Sequence, residues 1–154
     1  MFYKMTLPAI PALLLAAILI LGCGASPTPR PGGSPEGPSE LNHTAFDQLL
    51  QKYVNEKGMV DYAAWKKDGL RALEGYLQTL AATDPAALPG DDHRLAYWLN
   101  AYNAYTIKGV LDHYPIASVQ NVENFFDIKR YTLGGRDYSL NQIENEIIRP
   151  RFEE

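Results

Sequence analysis

Apolar positions recur along this chain at helical spacing in several blocks, and the spacing predicts the elements. Phe46, Leu49, Leu50, Tyr53 and Val54 fall on one helical face, which predicts a helix over 45–56 stopped by Gly58. Thr44, followed three residues later by Asp47, resembles a capping box at its start. Asp61 is placed to cap a second helix with Trp65, Leu70, Leu73, Leu77 and Leu80 on one stripe; Asp84-Pro85 and Pro89-Gly90 end it and turn the chain. The segment from Leu95 to Leu111 (LAYWLNAYNAYTIKGVL) is apolar on nearly every side, so it is expected at the centre of the core, buried against several neighbours. Asp91 or Asp92 would cap it, and Tyr114-Pro115 closes it, because a residue before proline avoids helical angles.

Farther on, residues 129–133 and 136–139 flank Gly134-Gly135, a pair suited to the positive dihedrals of a tight hairpin turn. Ser139 with Gln142 makes a second capping-box candidate, ahead of Leu140, Ile143, Ile147 and Ile148 on a last amphipathic helix broken by Pro150. The fold class that follows is α+β, mostly helical, with a central buried helix and a β-hairpin.

The first forty residues have a different character. Lys4 precedes an apolar stretch, Leu7 to Leu21, that ends in Gly22-Cys23, the order of an export signal. Ile20-Leu21-Gly22-Cys23 resembles the lipobox of bacterial lipoproteins, in which the cysteine is acylated and the leader removed. Pro8 and Pro11 and the length of the run argue against a permanent membrane span, which needs about 20 apolar residues. Residues 24–40 contain five Pro, four Gly and three Ser among seventeen, too few apolar groups to offset the entropy of ordering, so they form a tether. The expected organisation is a signal peptide over 1–22, lipidated Cys23 and linker over 23–40, and one domain over 41–154. Gly24 lacks the aspartate associated with inner-membrane retention, which points to the outer membrane in a cell that has one.

Charge and cysteine usage narrow the chemistry. With Lys4 removed, 13 basic and 18 acidic side chains give a formal charge of −5, a surface that would not attract phosphate backbones, and no nucleic-acid partner is expected. The only cysteine is the one in the leader, so thiol catalysis, disulfides and cysteine-based metal sites are excluded from the visible domain. No phosphate-binding, zinc-protease or serine-hydrolase motif occurs, and no cofactor or metal is expected.

What remains as candidate site chemistry is polar residues in apolar settings. Asn100 and Asn103 lie inside the expected core helix, where an amide without partners costs about 1–3 kcal/mol; either a packed loop backbone or a polar site satisfies them. His43 stands just before the first helix, where the helix end disfavours an imidazolium and a neutral ring could act as a base. Glu144 lies one position beyond Ile143 and points either to solvent or inward beside the apolar stripe. His93 and His113 suit surface or capping positions, and Tyr97, Trp98, Tyr102 and Tyr105 are expected in the core rather than in a ligand groove.

In combination, these segments resemble the family called domain of unknown function 547. The resemblance rests on His43 with Phe46-Asp47, on Val60-Asp61-Tyr62, on Tyr97-Trp98-Leu99-Asn100-Ala101-Tyr102-Asn103-Ala104-Tyr105, on His113-Tyr114-Pro115-Ile116, and on Tyr138-Ser139-Leu140 with Ile143-Glu144. The activity of that family is not established; its members occur in bacterial envelope proteins and joined to interaction modules. They continue past the position of Phe152 into a strand and a Cys-Pro segment, and many carry histidine where this chain has Asn145. The resemblance therefore implies an incomplete domain, inert in any thiol chemistry, with a hairpin that would pair with strands of the later segment. Two functional expectations follow. One is a lipid-anchored envelope module that binds a partner protein or cell-wall polymer, held to membrane lipid through acylated Cys23. The alternative is a hydrolase-like enzyme using His43, Asn100, Asn103 and Glu144 with residues beyond 154.

Overall fold

A computed structural model describes residues 40–152. The predicted leader, Cys23 and the linker up to Ser39 lie outside the described residues. The elements run α1 (Thr44–Tyr53), α2 (Tyr62–Asp68), α3 (Leu70–Ala82), α4 (Gly90–His113), β1 (Tyr131–Leu133), β2 (Arg136–Tyr138) and α5 (Leu140–Gln142). From α5 the chain passes into a π-helical stretch (Ile143–Ile148) and then into a last turn, α6 (Arg149–Phe152). The domain is α+β and mostly helical, with α4 at its centre and one antiparallel hairpin.

Local chemistry explains most boundaries. Asp61 caps α2 by accepting from the Ala64 N–H at 3.0 Å. Tyr114 is extended, with φ −65° and ψ 134°, as a residue before proline must be, and α4 stops there. Both halves of the Ser139–Gln142 capping box are present. Gly134 and Gly135 take φ 55° and 76°, the two left-handed positions that a tight turn needs to pair Leu133 with Arg136.

Five boundaries differ from the sequence expectation. The helix expected over 45–56 ends at Tyr53, because the Asp61 N–H bonds to the Tyr53 carbonyl and Val54 bridges Val60 around a turn at Gly58. Thr44 is not its cap: His43 occupies that position, and the Asn42 side chain accepts from the Thr44 N–H at 2.8 Å while Asp47 bonds Gln51. The second helix is two. It breaks at Gly69, where a Cβ would lie 2.6 Å from Tyr53 Cε2 and 2.8 Å from Trp65 Cδ1, so the stacked Tyr53–Trp65 pair needs a bare backbone there. The central helix begins at Gly90, leaving Asp91 and Asp92 inside its first turn, where they favour the positive helix end instead of capping it. Finally, Pro150 does not end the last helix. It is the second residue of α6, after the change from π to α winding, a first-turn position where a missing N–H is tolerated.

The core forms where α3 and α5 meet α4. Trp65, Leu73, Leu80, Tyr97, Ala101, Ala104, Leu140 and Ile143 are fully buried, and each large apolar side chain among them contributes roughly 1.5–3 kcal/mol through removal from water. Tyr97, Trp98, Tyr102 and Tyr105 are all buried, as a core role requires. Tyr97 donates to the Leu80 carbonyl at 2.9 Å and Tyr105 to the Thr132 carbonyl at 3.1 Å, so the central helix ties α3 to the hairpin.

Candidate functional site

The four candidate residues lie around α4, on three different elements. His43 stands at the N-cap position of α1 without a side-chain cap bond, and its Nδ1 lies 2.6 Å from the Tyr76 hydroxyl of α3. Phe46, one turn into α1, stacks on the same Tyr76 ring at 4.9 Å. Burial pushes the Tyr76 phenol above its ordinary range, with nearby Tyr97 adding to the effect, so the hydroxyl keeps its proton. Burial also lowers the His43 pKa, against the pull of Glu40 and with help from His93. The hydrogen bond therefore joins a protonated phenol to a neutral imidazole, and it occupies Nδ1 in either ring tautomer.

This arrangement has a pH consequence. The native ring binds a proton less readily than the unfolded one, whose pKa is near 6.5. The unfolded state thus takes up more protons just below that value, and stability falls as pH drops from 6.5 towards the lower folded pKa. Urea midpoints measured across that window should decline for the native chain, and His43→Gln should flatten that slope; an equally steep decline in the variant would remove His43 as its source.

Glu144 is placed by the winding of its own helix. In an α-helix of 3.6 residues per turn, positions five apart point about 140° away from each other. In a π-helix the hydrogen bond spans five residues and brings them to one side. The Arg149 N–H bonds to the Glu144 carbonyl in this register, and the Arg149 guanidinium reaches Glu144 Oε1 at 2.7 Å. The second carboxylate oxygen accepts from the Tyr102 hydroxyl of α4 at 3.0 Å. Burial raises the Tyr102 pKa, and the Glu144 charge and hydrogen bond raise it further, so this phenol too stays protonated. Glu144 points inward, with its side chain 20% exposed.

Asn100 and Asn103 are half-buried rather than enclosed, and neither amide hydrogen-bonds to another described residue. No loop backbone bonds them among the described residues, and the polar-site alternative stays open. No hydrogen bond or ion pair among the described residues joins His43 to Asn100, Asn103 or Glu144. His93 is 3.4 Å from Glu40 at the start of α4, and His113 caps the Gly109 carbonyl at 2.8 Å near its end, both consistent with surface or capping roles.

Three partners had no sequence signal. Tyr76 and Tyr102 are apolar-stripe residues by spacing, and Arg149 stands five residues from Glu144, an interval that pairs nothing in an α-helix. A separate open cleft of about 310 Å³ lies between the approach to the hairpin and the last helix, lined by Asp127, Arg130, Ser139, Asn141, Gln142 and others. Its polar groups mostly bond one another, Asn141 to Asp127, Arg130 to Gln142 and Asn145 to Asn141. Among the described residues no group of three histidine, cysteine or acidic side chains is close enough to hold a metal ion.

Comparison with known families places one match on this geometry. The model of the family described as protein of unknown function, DUF547, matches residues 85–154, which takes in α4, the hairpin and the last helix. No curated protein and no solved structure matches the chain.

Proposed function

We propose that this chain, whose residues 85–154 match the DUF547 family model, is a lipid-anchored module of the bacterial cell envelope that binds a partner on its extracytoplasmic face. The observation that carries the reading is positional: the single thiol, Cys23, directly follows an apolar leader and directly precedes a Pro/Gly/Ser tether. A thiol in that place is acylated, and the tether holds the domain clear of lipid headgroups. The site chemistry supports recognition over covalent chemistry. His43 and Glu144, the two titratable candidates, are engaged by Tyr76 and by Tyr102 with Arg149. The amides of Asn100 and Asn103 remain available to a partner.

Mass spectrometry of the membrane-extracted protein tests the anchor. The expected species begins at Cys23, carries acyl mass there and lacks residues 1–22, and Cys23→Ser should abolish labelling by a radioactive fatty acid. An intact Met1 in the membrane fraction, or unchanged labelling of the variant, would sink the anchor.

A further inference from the structure

The chain enters α1 through a short segment whose chemistry the candidate site leaves unused. Residues 40–43 belong to no helix or strand, and Glu40, Asn42 and Thr44 are exposed. Asn42 accepts from the Thr44 N–H through Oδ1 at 2.8 Å, satisfying one of the first-turn donors that a helix cannot satisfy internally. That bond occupies the carboxamide oxygen alone: the Asn42 Nδ2 and the Thr44 hydroxyl bond no other described residue. Of the eight asparagines in the chain, Asn42 alone has Ser or Thr two positions on. Asn42-His43-Thr44 is thus the acceptor pattern for N-linked glycosylation, in which the middle residue is anything but proline. Glu40, two places before Asn42, extends it to the acidic-x-Asn-x-Thr form that bacterial transferases accept.

We infer that Asn42 carries an N-linked oligosaccharide, transferred outside the cytoplasm from a polyprenyl-diphosphate donor. The inference rests on the reading of the chain as an exported envelope protein, because the acceptor must meet the donor on that side of the membrane. In the transfer, the Asn42 Nδ2 attacks the anomeric carbon of the donor's first sugar. The N–C bond forms, the C–O bond to the diphosphate breaks, the polyprenyl diphosphate leaves with the electron pair, and one amide proton passes to a base of the transferase. No oxidant or reductant takes part. Four of the five residues from Glu40 to Thr44 already precede α1, so an extended presentation unwinds a single helical residue and releases the Glu40–His93 and His43–Tyr76 pairs. The buried face of α1 begins at Phe46, so a bulky, solvated glycan at Asn42 displaces no core side chain.

The test is mass spectrometry of the full chain extracted from the membranes of its own cells, with electron-transfer fragmentation of the peptide that contains Asn42. Saccharide mass should lie on the Asn42 side chain. Asn42→Gln and Thr44→Ala should each abolish it, whereas Thr44→Ser, which restores the hydroxyl, should keep it. Glu40→Gln, which removes only the charge, should leave most of the chain bare. A bare Asn42 in the native chain, saccharide mass that persists in Asn42→Gln or Thr44→Ala, or a Glu40→Gln variant glycosylated as fully as the native chain would overturn the inference. Acyl mass on Cys23 beside a bare Asn42 removes the glycan and spares the anchor, whereas a glycan on Asn42 in a chain unacylated at Cys23 does the reverse.

Discussion

Trp65→Ala is expected to destabilise the domain by about 3–5 kcal/mol, a large share of the roughly 5–15 kcal/mol that holds a domain folded. Trp65 is fully buried and stacks on Tyr53 with ring centroids 5.0 Å apart and planes 22° apart. Gly69, at the break between α2 and α3, is shaped around this pair. Truncation opens a cavity where three helices converge, and neighbouring backbone held by the Asp61 cap cannot collapse far to fill it. Urea unfolding should show a lower midpoint with an unchanged slope, the mark of lost stability rather than altered compactness. Trp65→Phe separates ring packing from the indole N–H. That N–H and the Tyr53 hydroxyl are buried without a hydrogen-bond partner among the described residues, so Tyr53→Phe removes an unsatisfied donor and should be neutral or slightly stabilising. A Trp65→Ala loss below about 1 kcal/mol would show that the α1–α2–α3 junction is not part of the cooperative core.

Glu144→Ala carries the second large effect, about 2–3 kcal/mol, and it tests the winding of the last helix as well as its stability. Removing the carboxylate leaves the Tyr102 hydroxyl without its acceptor in a position where the residue is only 4% exposed. Arg149 loses its partner on the other oxygen, a smaller contribution because its side chain is 42% exposed and screened by water. Glu144→Gln keeps an acceptor for Tyr102 and should lose about half as much. A double-mutant cycle of Glu144→Ala with Tyr102→Phe should give a coupling of about 1–2 kcal/mol; additivity would mean that the hydrogen bond contributes nothing to stability. Since a Glu144–Arg149 pair five residues apart exists only in π-helical register, the Ala variant should also weaken protection of the Arg149 amide in hydrogen exchange relative to Leu140.

These variants divide along the line between local and distant contacts. The Ser139–Gln142 capping box, the Asp61 cap and the Gly134-Gly135 turn were legible because each closes within four residues, where the identities of two neighbours decide the geometry. Periodicity likewise placed Tyr97, Trp98, Tyr102 and Tyr105 in the core. It failed at Gly69, where the stripe continues unbroken and only the Tyr53 ring arriving from another helix forbids a Cβ. The site residues divide the same way. His43, Asn100, Asn103 and Glu144 stood out as polar groups in apolar surroundings, but spacing could not supply their partners, because Tyr76 lies 33 residues from His43 and Tyr102 lies 42 from Glu144.

By itself, then, the sequence determined the class of fold, the Asp61 and Ser139–Gln142 caps and the Gly134-Gly135 turn, since each depends on near neighbours or composition. Only the tertiary structure decided which polar groups are occupied and which are open. A hydrogen bond between distant residues forms or fails according to how whole helices pack: α3 brings Tyr76 to His43, the π-helical turn brings Arg149 to Glu144, and incomplete cover along α4 leaves Asn100 and Asn103 facing outward.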